Sequence, residues 1–491
     1  MSTQKHTQVL IAGGSVAGLT LANTLEQLGI DFLVLEKYEK VAPDLGASIG
    51  IFPNGLRILD QIGCYDAIKA VSADADPFRE LSMMNDSGHI ILKAKDASGK
   101  MGSRLGYKPI FLDRQMLIQI LYDNLRDKSK VLTNKGVAKV EQLPGKVQVT
   151  TSHGETITGE VLVGADGIHS VVRREMWRLA DQETPGYFSV SERSKAPTEY
   201  CCIFGISPPT NKVKAFSSFN VVGQNSSYLI STGPNHRIYW FLFKKLPTTA
   251  HGLYDDIPRF TDEERDTLAA EHAADPLAAD LTFGELYATR TTATLQALPE
   301  VVFKKWHYNR IMTIGDAAHK FNPIGGQGGN SAIEDAVVLA DQLHTLLQSK
   351  DKSTPLTDAN IVHAFQETQR IRHERASKML KASHDLQSLQ AMDTLVSKFI
   401  AKYIMPMSGS DKMVDMICES SLGAARCKSL PMPDRPHSAL WDDEKEPKLV
   451  NWTRVGMVAS VVFGALAVMT ASNSQSTMAS MSKVLLSVQR G

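Results

Sequence analysis

The stretch VLIAGGSVAGLTLANTLEQLG, residues 9–29, has the residue types of a phosphate-binding turn. Gly13, Gly14 and Gly18 nearly complete the pattern G-x-G-x-x-G, but Ser15 stands where the middle glycine allows the backbone to approach a pyrophosphate. Backbone N–H groups at a helix start would point at a phosphate there, and the helix dipole adds about 0.3–1 kcal/mol for an anion. The turn predicts dinucleotide binding, with a purely structural turn as the alternative.

An acidic residue follows at the end of the next apolar run. Glu36 closes the run IDFLVLE, near the roughly 20-residue offset at which an acid binds the ribose hydroxyls of a dinucleotide. A 2′-phosphate would be repelled by this carboxylate, so Glu36 favours an unphosphorylated adenosine ribose, as in FAD or NAD.

Two further turns contain aspartate next to glycine. Asp166 and Gly167 lie in GADGIHSVVR, while Asp316 and Gly329 lie in IGDAAHKFNPIGGQGGN. Together with the first turn, these segments resemble the motifs of the flavin-dependent aromatic hydroxylase superfamily. The resemblance implies that Asp166 and Gly167 contribute to binding FAD and the reduced nicotinamide, that Asp316 holds the ribityl chain, and that Gly329 lies at the flavin edge. From the residues alone, Asp166 could be a turn residue and Asp316 a helix N-cap.

Within that superfamily, GGSVAGLTLANTLEQLGIDFLVLEK and GASIGIFPNGLRILDQIG are similar to the N-terminal signature of fungal FAD-dependent epoxidases of meroterpenoid and indole-diterpene pathways. Members of this group have the serine seen here as Ser15, and they also have a C-terminal hydrophobic tail. The resemblance adds Gly50 and Arg114 to the residues expected around FAD. By themselves, Gly50 could be a turn glycine and Arg114 a solvated residue at a helix start.

The resemblance implies an NAD(P)H-dependent flavin monooxygenase that uses O2 to epoxidise an alkene of a lipophilic, prenylated intermediate. The alternatives are a hydroxylase of a lipophilic phenol and a non-catalytic flavin-binding protein. Tyr228 is a candidate for orienting the substrate, although aromatic residues in strands more often serve packing.

Composition and spacing exclude several other functions. Lys+Arg and Asp+Glu both total 53, so no basic excess favours a nucleic-acid partner. His319, His344 and His363 lack the spacing of metal ligands, so no metal site is predicted. The five cysteines show no C-x-x-C pair, which indicates reduced thiols in a protein that faces the cytosol.

Apolar periodicity predicts the elements that position these residues. Residues 8–36 form a strand, turn, helix and strand, which is a βαβ unit of the expected size. Residues 111–125, 160–176 and 310–347 repeat a strand followed by a helix, the last opened by a predicted capping box of Ser331 and Glu334. The alternation in RIYWFLFKKL, with SSYLIS before it, predicts antiparallel strands.

The predicted fold class is therefore α/β. We expect a Rossmann-like FAD-binding domain into which a mainly antiparallel β-sheet domain for the substrate is inserted. C-terminal helices and a hydrophobic tail segment follow. The expected ranges are 1–75, 108–185 and 285–375 for the FAD-binding domain, 76–107 and 186–284 for the substrate domain, 376–430 for the helical region, and 431–453 for a linker.

The final predicted segment is a transmembrane anchor at residues 454–475. Its core VGMVASVVFGALAVMTA carries no charge and would span about 26 Å as a helix, slightly less than a hydrocarbon core of roughly 30 Å. A buried C-terminal helix is the alternative. With an anchor, we expect a membrane protein, for example of the endoplasmic reticulum, whose catalytic body faces the cytosol.

Truncation before Asn451 tests the anchor. The full chain should stay in the pellet when membranes are washed with alkaline carbonate, whereas the truncated chain should move to the supernatant. Isolated at neutral pH, the truncated chain should still bind flavin. A full chain that never enters the membrane fraction would refute the anchor.

Overall fold

The computed structural model describes residues 5–43, 48–349, 356–409 and 411–445 of the 491-residue chain. The chain divides into two units, Met1–Trp441 and Asp442–Gly491, and every element given below belongs to the first.

The strands and helices of the described residues are these, in chain order. The strands are β1 His6–Ala12, β2 Phe32–Leu35, β3 Ser48–Ile51, β4 Glu80–Met84, β5 Ile90–Lys95, β6 Ile110–Asp113, β7 Val131–Leu132, β8 Val137–Leu143, β9 Lys146–Thr151, β10 Thr156–Gly164, β11 Pro197–Ser207, β12 Ser217–Val222, β13 Ser226–Thr232, β14 Ile238–His251, β15 Pro276–Ala278, β16 Leu281–Thr282, β17 Thr292–Pro299, β18 Val301–Val302, β19 His307–Tyr308, β20 Ile311–Thr313 and β21 His319–Lys320. The helices are α1 Val16–Gln27, α2 Pro53–Gln61, α3 Tyr65–Val71, α4 Ala97–Leu105, α5 Arg114–Asn124, α6 Val171–Glu183, α7 Val190–Ser194, α8 Asp262–Glu271, α9 Phe283–Ala288, α10 Gly328–Gln348, α11 Asp358–Gln390, α12 Leu395–Phe399 and α13 Lys412–Leu422.

The first sheet has a parallel centre, in the order β20, β10, β1, β2, β7. Its strands are apolar runs that are buried on both faces, as is usual in parallel sheets. Ala12 pairs with Leu35 on one side and with Gly164 on the other, so the carboxyl ends of these strands meet at one edge. This register brings together the turns that follow β1, β2, β10 and β20.

The second sheet contains the predicted antiparallel strands. Its order is β17, β11, β14, β13, β12, β4, β5, and every pairing is antiparallel except that of β12 with β4. Because successive side chains of a strand face opposite sides, one face turns to the first sheet and the other covers a separate core containing Tyr228, Trp240 and Phe283. The predicted fold class is confirmed.

One local prediction was wrong. Ser331 and Glu334 do not cap a helix, because α10 begins three residues earlier at Gly328, with Gln327 as its N-cap. Both residues lie inside the helix and are buried. Gly328 and Gly329 are themselves helical, so α10 extends beyond the predicted capping residue toward the N-terminus.

Residues 454–475, the predicted membrane anchor, lie outside the described residues. Within the described ranges, no helix combines the length and the apolar character needed to cross a membrane.

Candidate active site

A cavity of about 830 Å³ opens between the carboxyl edge of the first sheet and one face of the second. Ten of the predicted site residues line it: Gly13, Gly14, Ser15, Glu36, Gly50, Arg114, Asp166, Gly167, Asp316 and Gly329. Two do not, since Gly18 packs beneath the first turn and Tyr228 lies in the core behind the second sheet.

The first turn is tightly packed against the turn that follows β10. Gly13 has φ +105°, and a Cβ there would lie 2.5 Å from the carbonyl oxygen of Ala165. A Cβ at Gly18 would lie 1.9 Å from the carbonyl oxygen of Gly13. Both positions therefore require glycine for steric reasons, while Ser15 is accommodated and accepts a 2.6 Å hydrogen bond from Arg114 Nη2.

Glu36 is buried and supports this turn directly. Its Oε2 accepts a 2.6 Å hydrogen bond from the backbone N–H of Gly14, and its Oε1 accepts one of 2.9 Å from Tyr38. One carboxylate thus fixes the turn and presents negative charge to the cavity.

Two helices begin at the cavity with free backbone donors. At the start of α1, Ser15 is the N-cap, and at the start of α10 it is Gln327; neither side chain makes a capping hydrogen bond to the described backbone. The first N–H groups of a helix have no partner within the helix, and they attract anions. Gly328, next to Gly329, has open space where a Cβ would stand.

The Asp166 carboxylate accepts hydrogen bonds from the start of α6. Its Oδ1 accepts a 2.5 Å hydrogen bond from the Ser170 hydroxyl, while its Oδ2 accepts bonds of 2.8 and 3.1 Å from the N–H groups of Val171 and Val172. Burial raises the pKa of this carboxyl, although these hydrogen bonds oppose the shift. The carboxylate thus binds the first two backbone donors of α6, whose N-cap is Ser170, and Gly167, with φ +81°, lies in the turn between them.

Charged side chains from three elements converge on the polar half of the cavity. Burial lowers the pKa of the Arg114 guanidinium, whereas the nearby carboxylates of Asp316 and Glu36 raise it. Asp316 itself accepts a 2.5 Å hydrogen bond from Lys320 Nζ and remains partly exposed. The group therefore offers both acceptors for hydroxyls and a cation for an anionic ligand.

Asn330, which sequence reasoning missed, holds two cavity loops together. Its Oδ1 accepts a 3.0 Å hydrogen bond from the Phe52 N–H, and its Nδ2 donates to the carbonyl oxygens of Gly50 (3.0 Å) and Gly326 (2.7 Å). Asn330 directly follows Gly329 at the end of the motif IGDAAHKFNPIGGQGGN. Its hydrogen-bond partners Gly50 and Phe52 are distant along the chain, so the motif alone did not indicate its role.

Buried charges behind the glycine loop were also missed. Asp335 Oδ2 accepts a hydrogen bond from Gly315 N (3.0 Å) and is also hydrogen-bonded to His319 Nε2 (2.6 Å). Its Oδ1 accepts a hydrogen bond from Arg372 Nε (2.8 Å). Burial alone would raise the pKa of Asp335, yet the neighbouring His319 and Arg372 lower it to about 2. Glu334 is paired with both Arg372 and Arg375. The signal in the sequence is a pair of acids directly before the apolar run AVVLA.

The other half of the cavity is apolar. The second sheet contributes Phe204, Leu229 and Phe241, which lie directly across from one another in adjacent strands. Within the described chain, the side chains that this sheet presents to the cavity are all uncharged. The uncharged polar ones are Ser82, Ser218, Asn220 and Ser231.

Tyr228 faces away from this half. It pairs with Leu242 rather than with the cavity-lining positions, and its hydroxyl donates a 2.6 Å hydrogen bond to Asp275 Oδ2. Burial raises its pKa, and the bond to Asp275 adds to the shift. The structure does not bring Tyr228 to the site, and its contacts are those of a packing residue.

Comparisons with known proteins identify the family. Residues 6–361 match the family described as "FAD binding domain". The FAD-dependent monooxygenase olcE of Penicillium canescens is 37% identical over 434 residues, covering 88% of this chain and 91% of that protein. The FAD-dependent monooxygenase atmM of Aspergillus flavus is 36% identical over 466 residues, covering 94% and 95%. This chain belongs to the FAD-dependent monooxygenase family. The resemblance inferred from the motifs is confirmed.

Solved structures share the fold of this monooxygenase. HpxO of Klebsiella pneumoniae, in complex with FAD and uric acid, superposes with a TM-score of 0.69 at 21% identity, over 85% of this chain and 97% of that one. PqsL of P. aeruginosa, in complex with 2-aminobenzoylacetate, gives 0.60 at 21% identity, over 79% and 97%.

The polar half of the cavity fits FAD. Uncapped N–H groups at the starts of α1 and α10 suit the pyrophosphate and the flavin edge. The carboxylates of Glu36 and Asp316 can accept hydrogen bonds from ribose and ribityl hydroxyls. Among the described residues, no cluster of three or more His, Cys, Asp or Glu side chains could hold a metal ion.

Replacement of Glu36 or Asp316 by alanine should weaken FAD binding. Each change removes a charged acceptor, which is worth about 1.5–3 kcal/mol, or roughly 10- to 100-fold in Kd. Titration of FAD into the apoprotein, followed by quenching of flavin fluorescence, measures the effect. Glu39→Ala is the control, because Glu39 is exposed and does not line the cavity. Wild-type affinity in both test variants would show that these assignments are wrong.

Arg372→Met should lower the free energy of unfolding by about 3 kcal/mol or more, because it leaves buried carboxylates without their main cation. Arg370→Met on the same helix is the matched control, since Arg370 is exposed and its pair with Glu367 contributes about 1 kcal/mol at most. Urea unfolding of both variants provides the comparison, and equal losses would contradict the role given to Arg372.

Proposed function

We propose that this chain uses FAD, NAD(P)H and O2 to epoxidise an alkene in the prenyl-derived part of a meroterpenoid or indole-diterpene intermediate. The observation that carries the proposal is the division of one cavity into a polar half with the FAD-binding motifs and a largely apolar half whose wall from the second sheet is uncharged.

The apolar half suits a prenyl chain. Phe204, Leu229 and Phe241 form a wall without charge, and Leu386 and Leu389 of α11 line the cavity as well. A hydrocarbon chain gains about 25 cal/mol for each Å² that it buries there. The hydroxyls of Ser218 and Ser231 and the amide of Asn220 can orient a small polar head group without requiring a charged one.

Alkene epoxidation suits a site without a catalytic dyad. Oxygen activation would be supplied by the bound flavin, so that alkene, O2, NAD(P)H and one proton yield epoxide, water and NAD(P)+. The carbon skeleton loses no proton in this conversion, so the wall needs no general base. The work of the chain is to position the double bond and to exclude water from the apolar half.

The site of action is part of the proposal. Prenylated intermediates partition into bilayers, and the predicted anchor at residues 454–475, with the catalytic body facing the cytosol, would keep the enzyme where they accumulate.

Product analysis tests the reaction. Purified protein should be yellow, and with NADPH and isotope-labelled O2 it should add one labelled oxygen atom to a prenylated indole or quinol. Fragmentation should place that oxygen in the prenyl chain.

Three other results would overturn the proposal. Oxygen on an intact aromatic ring would indicate a phenol hydroxylase. Colourless protein that does not take up FAD, or yellow protein that fails to oxidise NADPH with any prenylated substrate offered, would favour the non-catalytic alternative.

A further inference from the structure

Residues 395–407, LVSKFIAKYIMPM, have an unusual distribution of side chains. They form α12, a π-helical stretch over Ile400–Ile404 and a final turn over Met405–Met407. The buried positions are Ser397, Ala401 and Met405, spaced four residues apart. We call residues 395–407 the apolar segment, because most of its outward side chains are large and apolar.

The exposed fractions of these side chains are high. Leu395 is 86% exposed, Phe399 56%, Tyr403 60% and Met407 85%. An ordinary surface helix buries its large apolar residues and exposes polar ones, whereas here the inward face is narrow and includes a serine and an alanine. Contiguous exposed apolar surface of this kind marks an interaction site in a soluble domain.

The segment is firmly held by the second sheet at its base. The carbonyl oxygen of Ala391 accepts a 2.7 Å hydrogen bond from Asn225 N, and Asp393 Oδ2 lies 2.6 Å from Lys245 Nζ. Thr394 and Ser397 then form a capping box at the start of α12. The outward apolar side chains are thus presented by an anchored element.

The segment also forms part of the cavity rim. Two residues of the apolar segment, Ile400 and Ile404, are exposed to solvent and at the same time line the cavity. The same is true of Met416, which lies in α13. The surface is therefore continuous with the apolar half in which the substrate is proposed to bind.

Positive charge accompanies the apolar side chains. Lys398 and Lys402 lie within the segment and Lys412 lies at the rim, and none of the three makes an ion pair with any described residue. Aromatic and aliphatic side chains beside lysines are the pattern of an element that lies in a membrane interface, where lysines attract anionic lipids.

We propose that the apolar segment docks the globular body onto an anionic lipid bilayer, with the cavity rim facing the lipid. A lipophilic substrate would then pass from the bilayer into the cavity without crossing water. The docking contact belongs to the body and does not depend on the segment predicted as an anchor, whereas the passage of a lipophilic substrate rests on the proposed function.

A polarity-sensitive dye on the full chain tests this contact. The five native cysteines are all buried, so a maleimide dye should label Phe399→Cys selectively. Vesicles of phosphatidylcholine with about one third phosphatidylserine should raise and blue-shift its emission, and spin-labelled lipids should quench it. The control is Val190→Cys, an exposed apolar position, 76% accessible, that does not line the cavity. Its dye should not respond.

A second set of variants tests the contribution of positive charge to docking. Lys398→Gln with Lys402→Gln should weaken docking on anionic vesicles roughly fivefold per lysine. The exposed lysines of α11 serve as the control, because Lys378→Gln with Lys381→Gln removes the same charge elsewhere.

Three outcomes would overturn the proposal. A dye at position 399 that stays in water while the chain is membrane-bound would show attachment through another part of the chain. A dye already shielded without vesicles would show that this chain's residues 446–491 or a second copy cover the surface. Equal responses at positions 399 and 190 would show unspecific adsorption.

Discussion

The contact between two turns is the constraint on which the site depends. β1 and β10 are parallel and in register, so the turn after Ala12 meets the turn after Gly164 at one edge. The Ala165 N–H donates to the Ala12 carbonyl oxygen at 2.8 Å, and the space beside Gly13 admits no side chain. The start of α1, the buried acid Glu36 and a third turn after β20 all take their places from this register.

The glycine loop beneath the cavity is held by charges that are costly to bury. Glu334 and Asp335 are fully enclosed, and their desolvation is offset by Arg372, Arg375 and the backbone N–H of Gly315. Asp335 joins α10, α11 and the N–H of Gly315 through one carboxylate. The loop that faces the flavin site is therefore fixed from behind, by residues that never touch the cavity.

Sequence patterns predicted what depends on local periodicity. The βαβ unit and the inserted sheet follow from apolar runs, whereas the place of Asp316 beside Gly13 and Glu36 was implied by the family resemblance. The start of α10 was wrong, because Ser331 and Glu334 match a capping box in type while tertiary packing buries them. Asn330 and Arg372 could not be predicted, because each acts through partners distant along the chain.

The hydrogen bonds of Asp166 give a structural reason for the aspartate in its motif. Both oxygens of this carboxylate hold the first turn of α6, so replacing Asp166 would destabilise that helix start as well as change the cavity lining. Among the residues that the structure describes, the Asp316 carboxylate accepts a hydrogen bond from Lys320 and none from a backbone N–H. When relatives are compared, retention of Asp166 therefore has an explanation in the start of α6 alone, whereas retention of Asp316 would point to a ligand in the cavity.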